Sequence, residues 1–142
     1  MRMRIGIATV VLFLAGCLSP HRSVMTDTRP TGWGKEVEIA FDNEDTVSRQ
    51  DLCIVLRYNE QFRGDSLRLT VCTITPDTIC YEEPFTLFVP KRAHPAPLRD
   101  EISVTYRRNV VLSKAGEYRM TFTPMTRVSG VEAIGINLEK TE

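Results

Sequence analysis

The chain has little of what catalytic and metal sites are usually built from. It contains two histidines, His21 and His94, one tryptophan, Trp33, and four cysteines, Cys17, Cys53, Cys72 and Cys80. With one histidine near the start and the other in a Pro-containing stretch, a His-based metal site or a Ser-His-Asp triad has little to build on. The cysteines lack zinc spacing, and no Cys-x-x-Cys pair, Gly-x-Ser-x-Gly elbow or phosphate-cradling glycine loop occurs. Charge of one sign is missing too, since 18 basic side chains balance 18 acidic ones. That balance attracts no polyanion, which argues against a nucleic-acid partner. There is no run of about 20 apolar residues, the length a membrane-spanning helix requires. No long internal repeat or low-complexity tract is present, which sets aside solenoids and propellers.

What is there begins at the N-terminus. Arg2 and Arg4 precede an almost wholly apolar stretch from Ile5 to Leu14, the basic and apolar regions of an export signal. Leu14-Ala15-Gly16-Cys17 follows, and it resembles the lipobox of bacterial lipoproteins, in which small residues fit the peptidase and the thiol takes a diacylglyceryl group before cleavage. The reading is a lipoprotein signal peptide over 1–16 and a mature chain that starts at lipidated Cys17. At about 0.8 kcal/mol per buried methylene, two or three acyl chains hold a protein on a membrane for practical purposes permanently. Loss of Arg2 and Arg4 leaves 16 basic against 18 acidic side chains. Residues 17–29 are polar, contain Pro20 and show no apolar periodicity, so they read as a flexible tether.

From Trp33 onward the dominant signal is alternation, the period of a half-buried strand. Val37, Ile39 and Phe41 make one set, Leu52, Ile54, Leu56 and Tyr58 a second, Leu67, Leu69 and Val71 a third. Ile79 and Tyr81 follow a Thr75-Pro76-Asp77-Thr78 turn; then come Phe85, Leu87 and Val89, a Pro-containing loop over 91–99, and Ile102, Val104 and Tyr106. Val110 and Leu112 continue that run, Lys114-Ala115-Gly116 marks a turn, and Tyr118, Met120, Phe122 and then Ile134, Ile136, Leu138 close the chain. About eight short strands predict an all-β fold, an antiparallel β-sandwich forming one domain over 30–142, with a closed barrel as the competitor.

Cys53, Cys72 and Cys80 remain after lipidation, so at most one internal disulfide forms. A three-residue turn would set Cys72 opposite Cys80 and a four-residue turn would set it opposite Tyr81. The sequence leaves a Cys72–Cys80 bridge open beside the alternative of three small, inert thiols.

The other candidate groups each have a plainer reading. Asp42-Asn43-Glu44-Asp45, with Asp51, offers oxygen ligands for calcium, yet lacks EF-hand spacing and its glycine, so a solvated loop is expected. Glu82, Glu83 and Glu101 are carboxylates whose sequence spacing does not establish a glycosidase pair. Lys91-Arg92-His94 and Arg107-Arg108 are short basic spots. Trp33 stands where the tether enters the fold, so it either caps the core or presents a contact for a partner; burial is the expectation.

Several residues are similar to the GldH family of gliding motility-associated lipoproteins of Bacteroidota: Pro30-Thr31-Gly32-Trp33, Phe41-Asp42, Leu52, Arg57-Tyr58, Gly116-Glu117-Tyr118, Phe122, Met125, Gly130-Val131 and Ala133-Ile134-Gly135-Ile136-Asn137-Leu138-Glu139. The match runs from Cys17 to the end and departs in the middle, at Phe62-Arg63-Gly64-Asp65-Ser66-Leu67. The resemblance implies a non-catalytic, cofactor-free envelope lipoprotein whose partners belong to the gliding or type IX secretion machinery. Surface-exported lipoproteins of that phylum tend to carry acids just after the lipidated cysteine. Leu18-Ser19-Pro20-His21-Arg22 has none, which favours a periplasm-facing position. A lipid-anchored module that binds carbohydrate or peptide on its loops or open sheet face is the alternative.

Overall fold

The computed structural model describes residues 21–90 and 99–141, so Cys17, the signal segment and the Lys91-Arg92-His94 cluster lie outside the described residues. Eight antiparallel strands make up the fold: β1 His21–Asp27, β2 Val37–Asn43, β3 Arg49–Asn59, β4 Ser66–Ile74, β5 Cys80–Phe88, β6 Arg99–Val111, β7 Gly116–Pro124 and β8 Val131–Lys140. They form two sheets, one ordered β1-β8-β3-β6 and the other β2-β7-β4-β5. The all-β sandwich expected from the alternation is therefore present. Except for the β4–β5 hairpin, each strand is followed by one in the opposite sheet, which is the jelly-roll order.

The alternating residues explain the layers. Ile39 and Phe41 of β2, Ile54 and Leu56 of β3, Leu69 and Val71 of β4, Met120 and Phe122 of β7, and Ile134 and Ile136 of β8 point between the sheets and are buried. Apolar surface removed from water there is the main drive to fold, at about 25 cal/mol per Å². At one side β1 lies over β2, where Arg22 donates to the Asp42 carbonyl. At the other side β6 lies over β5, with the rings of Tyr106 and Phe85 edge to face at 5.0 Å.

Residues 21–27 correct the expected tether. They pair in register with β8, from His21 opposite Glu139 to Asp27 opposite Ala133. Apolar periodicity gave no sign of this because an edge strand is held chiefly by its backbone. Room comes from Gly135, where a Cβ would meet the Val24 carbonyl oxygen at 2.0 Å. Among the described residues the first strand thus begins at His21, four residues after Cys17, and not past residue 30.

The strands give the sandwich two ends. At the near end β1 begins, and the β2–β3, β4–β5 and β6–β7 connections cluster with the chain's last strand. At the far end lie the β1–β2, β3–β4 and β7–β8 connections. There Trp33 bridges to Val128, and Gly130, at φ +87°, passes so close to the Phe62 backbone that a Cβ would sit 2.1 Å from its nitrogen. Trp33 is 2% exposed and its Nε1 donates to the Lys35 carbonyl at 2.7 Å. It caps the core, and the reading in which it presents a contact to a partner is set aside.

Candidate functional site

At the near end the sheets diverge between their β5 and β6 edges, leaving an open cleft of about 710 Å³. Leu52, Val110, Leu112 and Tyr118 give it an apolar lining, while Thr75 and Lys114 come from the flanking connections. Tyr81 lines it too, and at 60% exposure it departs from the expected core position. The reason is topological: β5 is an edge strand, and its first residues extend past the opposing sheet's cover.

Glu83, Tyr106 and Arg107 also line the cleft as one cluster. Glu83 accepts from the Tyr106 hydroxyl and from Arg107 Nη2, and the guanidinium lies 4.5 Å from the Tyr106 ring centre. Arg107, then Tyr106, hold the Glu83 carboxyl below the usual carboxylate range. Burial, and then the bond to Glu83, push the Tyr106 phenol well above its ordinary value. Both shifts move away from neutrality, so neither group exchanges a proton readily near pH 7, as general acid-base work requires. What the cluster offers is a fixed, charge-balanced wall beside apolar surface, suited to binding. Sequence reading treated Glu83 and Arg107 separately, because no local pattern links residues 24 positions apart on different sheets.

Of the other carboxylates, Glu82 and Asp77 also line the cleft, while Glu101, Asp45 and Asp51 bond within the fold. Glu82 points to the opposite face of β5 from Glu83, and Glu101 pairs with Arg57 at 3.1 Å. Asn43 is buried and its Nδ2 donates to the Leu112 and Lys114 carbonyls, both at 2.9 Å. Asp45 accepts from the backbone N–H of Val47 and Ser48 and pairs with Lys140 at 3.2 Å. The Ser48 side chain first, and then those bonds, hold its carboxyl far below the ordinary range. Asp51 accepts from the Asn109 backbone N–H at 3.0 Å, beside the irregularity where β6 pairs with β3. The acidic run is thus the stitching of the near-end loops. Among the described residues no three His, Cys, Asp or Glu side chains gather as a metal cage.

Cys53, Cys72 and Cys80 are free thiols. The pairing falls one residue beyond the four-residue register and two beyond the three-residue one. Pro76 takes the first corner, Thr78 adopts φ +65°, and the Thr75 N–H donates to the Ile79 carbonyl at 3.0 Å. Cys72 therefore faces Glu82 and Cys80 faces Ile74, so the two thiols are diagonal neighbours on one face instead of a directly opposed pair. Burial, with the Cys80 thiol beside it, pushes the Cys72 thiol up to about 11.

The architecture places the chain among eight-stranded jelly-roll sandwiches. No family model and no curated protein matches it. Among solved structures it is similar to an infectious bursal disease virus Gx strain structure, at 7% identity and TM-score 0.39, over 85% of this chain and 32% of that one. It is also similar to the enzymatically active domain of bacteriophage CBA120 tailspike protein 4, at 10% identity and TM-score 0.33, over 86% and 19%. The chain thus spans a third or less of either, and likeness at this level carries no argument about function.

Proposed function

We propose that the chain is a non-catalytic lipoprotein of a bacterial cell envelope, anchored through Cys17, whose sandwich serves as an interaction component of a membrane-associated assembly. The observation that carries this reading is positional. The first described strand begins at His21, so a lipid on Cys17 would hold that strand within four residues of a bilayer. Resemblance to the GldH family makes gliding or type IX secretion components the partners to test first. Exposed Phe88 and Met125 at the far end supply contact surface. Palmitate labelling, with Cys17→Ser as control, tests the anchor; labelling equal in both proteins overturns it. Crosslinking in the native envelope tests the role, and recovery of no envelope protein counts against it.

A second reading, a carbohydrate- or peptide-binding module, is favoured by one observation. The exposed Tyr81 ring and the Glu83–Arg107 pair share a cleft large enough for a small ligand. A glycan-array hit lost on Tyr81→Ala, with no protein partner recovered, would select it.

A further inference from the structure

The near end collects exposed apolar side chains from two connections and one strand end. Val47, between β2 and β3, is 81% exposed; Ile79, between β4 and β5, is 47%; Val111, where β6 ends, is 42%. Each belongs to a different segment, yet the strand registers bring them to one end: Arg49 faces Val111, Asn43 faces Gly116, and Gly116 abuts Pro76. β1 also begins at this end, with His21 opposite Glu139. Four extended residues reach at most about 14 Å, so Cys17 lies within that distance of the first strand residue.

We infer that the near end rests on the lipid bilayer, with Val47, Ile79 and Val111 dipping into the headgroup–acyl boundary. This rests on the reading of Cys17 as the acylated residue. A tether this short leaves the domain no room to stand clear of the headgroups, and although Phe88 and Met125 are exposed at the far end, it is the near end, with Val47, Ile79 and Val111, that lies within the tether's reach. Charge does not direct the contact, because this end carries both signs and Lys140 is paired with Asp45. Apolar insertion therefore drives the contact, and zwitterionic lipid suffices. Seated this way, the cleft opens close to the membrane surface, and the far end projects into the aqueous compartment.

The test uses the full mature, acylated protein in phosphatidylcholine vesicles, with and without brominated acyl chains. Val47→Trp and Val111→Trp are compared with Met125→Trp, against the parent, whose Trp33 sits at the far end and supplies a common background. Residues seated ~5–10 Å into the boundary should lose roughly half their added emission to the bromines, while Met125→Trp and the parent lose almost none. Equal quenching at positions 47, 111 and 125, in protein shown by mass spectrometry to be acylated, overturns the orientation alone. A mature chain without the diacylglyceryl mass on Cys17 overturns both the orientation and the reading beneath it. Circular dichroism matching the parent's keeps a misfolded variant from being counted.

Discussion

Replacing Gly135 with alanine should release β1 while leaving the rest of the sandwich folded. The new Cβ would lie 2.0 Å from the Val24 carbonyl oxygen and 2.6 Å from Met25 Cα, both backbone atoms that no rotamer change can move aside. Restoring ordinary contact pushes β1 back by roughly 1 Å, which takes the neighbouring N–H···O bonds out of the 2.7–3.2 Å range. Two such bonds at about 0.5–1.5 kcal/mol each place the loss near 1–3 kcal/mol, the usual cost of overpacking. The loss has an upper bound, because an unpaired edge strand regains backbone entropy of about 1–2 kcal/mol per residue. Beyond that point peeling β1 away costs less than distorting β8, which β3 holds on its other side. Hydrogen exchange read by mass spectrometry should therefore show residues 21–27 losing protection while 131–140 keep theirs. Thermal melting should shift by about 3–5 °C per kcal/mol. Gly34→Ala is the control, since its Cβ meets nothing nearer than 3.7 Å. Unchanged exchange over 21–27, with a melt superposable on the parent's, would refute the docking of β1 against this glycine.

Three further outcomes are expected. Trp33→Ala empties the far-end cap and should cost about 3–5 kcal/mol in urea unfolding; a variant as stable as the parent would contradict the burial. Stability should fall on the alkaline side, because the Tyr106 phenol and the Cys72 thiol both titrate higher in the folded state. Their contribution is whole below the unfolded values and is lost as pH climbs through the folded ones, beginning near pH 9 for Cys72, so melts of parent and Tyr106→Phe should begin to approach each other above about pH 10. Glu83 and Asp45 act oppositely: their stabilisation holds above about pH 4 and drains as pH drops through their lowered folded values. At pH 8 a thiol reagent should modify exposed Cys80 first and Cys72 far more slowly, since a shift to about 11 cuts thiolate on the order of 100-fold; equal rates would undo that assignment.

Much of the fold was legible because one-face burial imposes a two-residue period, and Leu52, Ile54, Leu56 and Tyr58, or Met120 and Phe122, write that period plainly. β1 was not legible for the same physical reason. Its polar residues answer to a backbone ladder and to a missing side chain at Gly135, more than a hundred positions away. Asn43 and Asp45 looked like possible cation ligands because an oxygen-rich loop has the same composition whether it binds an ion or its own N–H groups. Neither expected Cys72 register is adopted, Glu82 standing one residue past Tyr81 and two past Cys80, because Pro76 fixes where the turn starts and each step moves every pair beyond it. The Glu83–Tyr106–Arg107 cluster was illegible in principle, since it exists only where two sheet edges meet.

Four edge strands and two ends set what such a domain can do. β5 carries Pro84 midway along its length, a residue that cannot donate to a ladder, so this edge is poorly suited to recruiting another strand. Along β5, strand addition is thus a weaker route to a partner than side-chain contact. On the proposed anchoring, the eleven residues of β3 span about 36 Å at 3.3 Å each, which lifts Phe88 and Met125 beyond the headgroups. Apolar side chains held in water at that height meet protein, whereas those at the near end meet lipid. The same alternation that builds the core thereby sorts the exposed apolar residues to the two ends, and the short link to Cys17 decides which end faces the membrane.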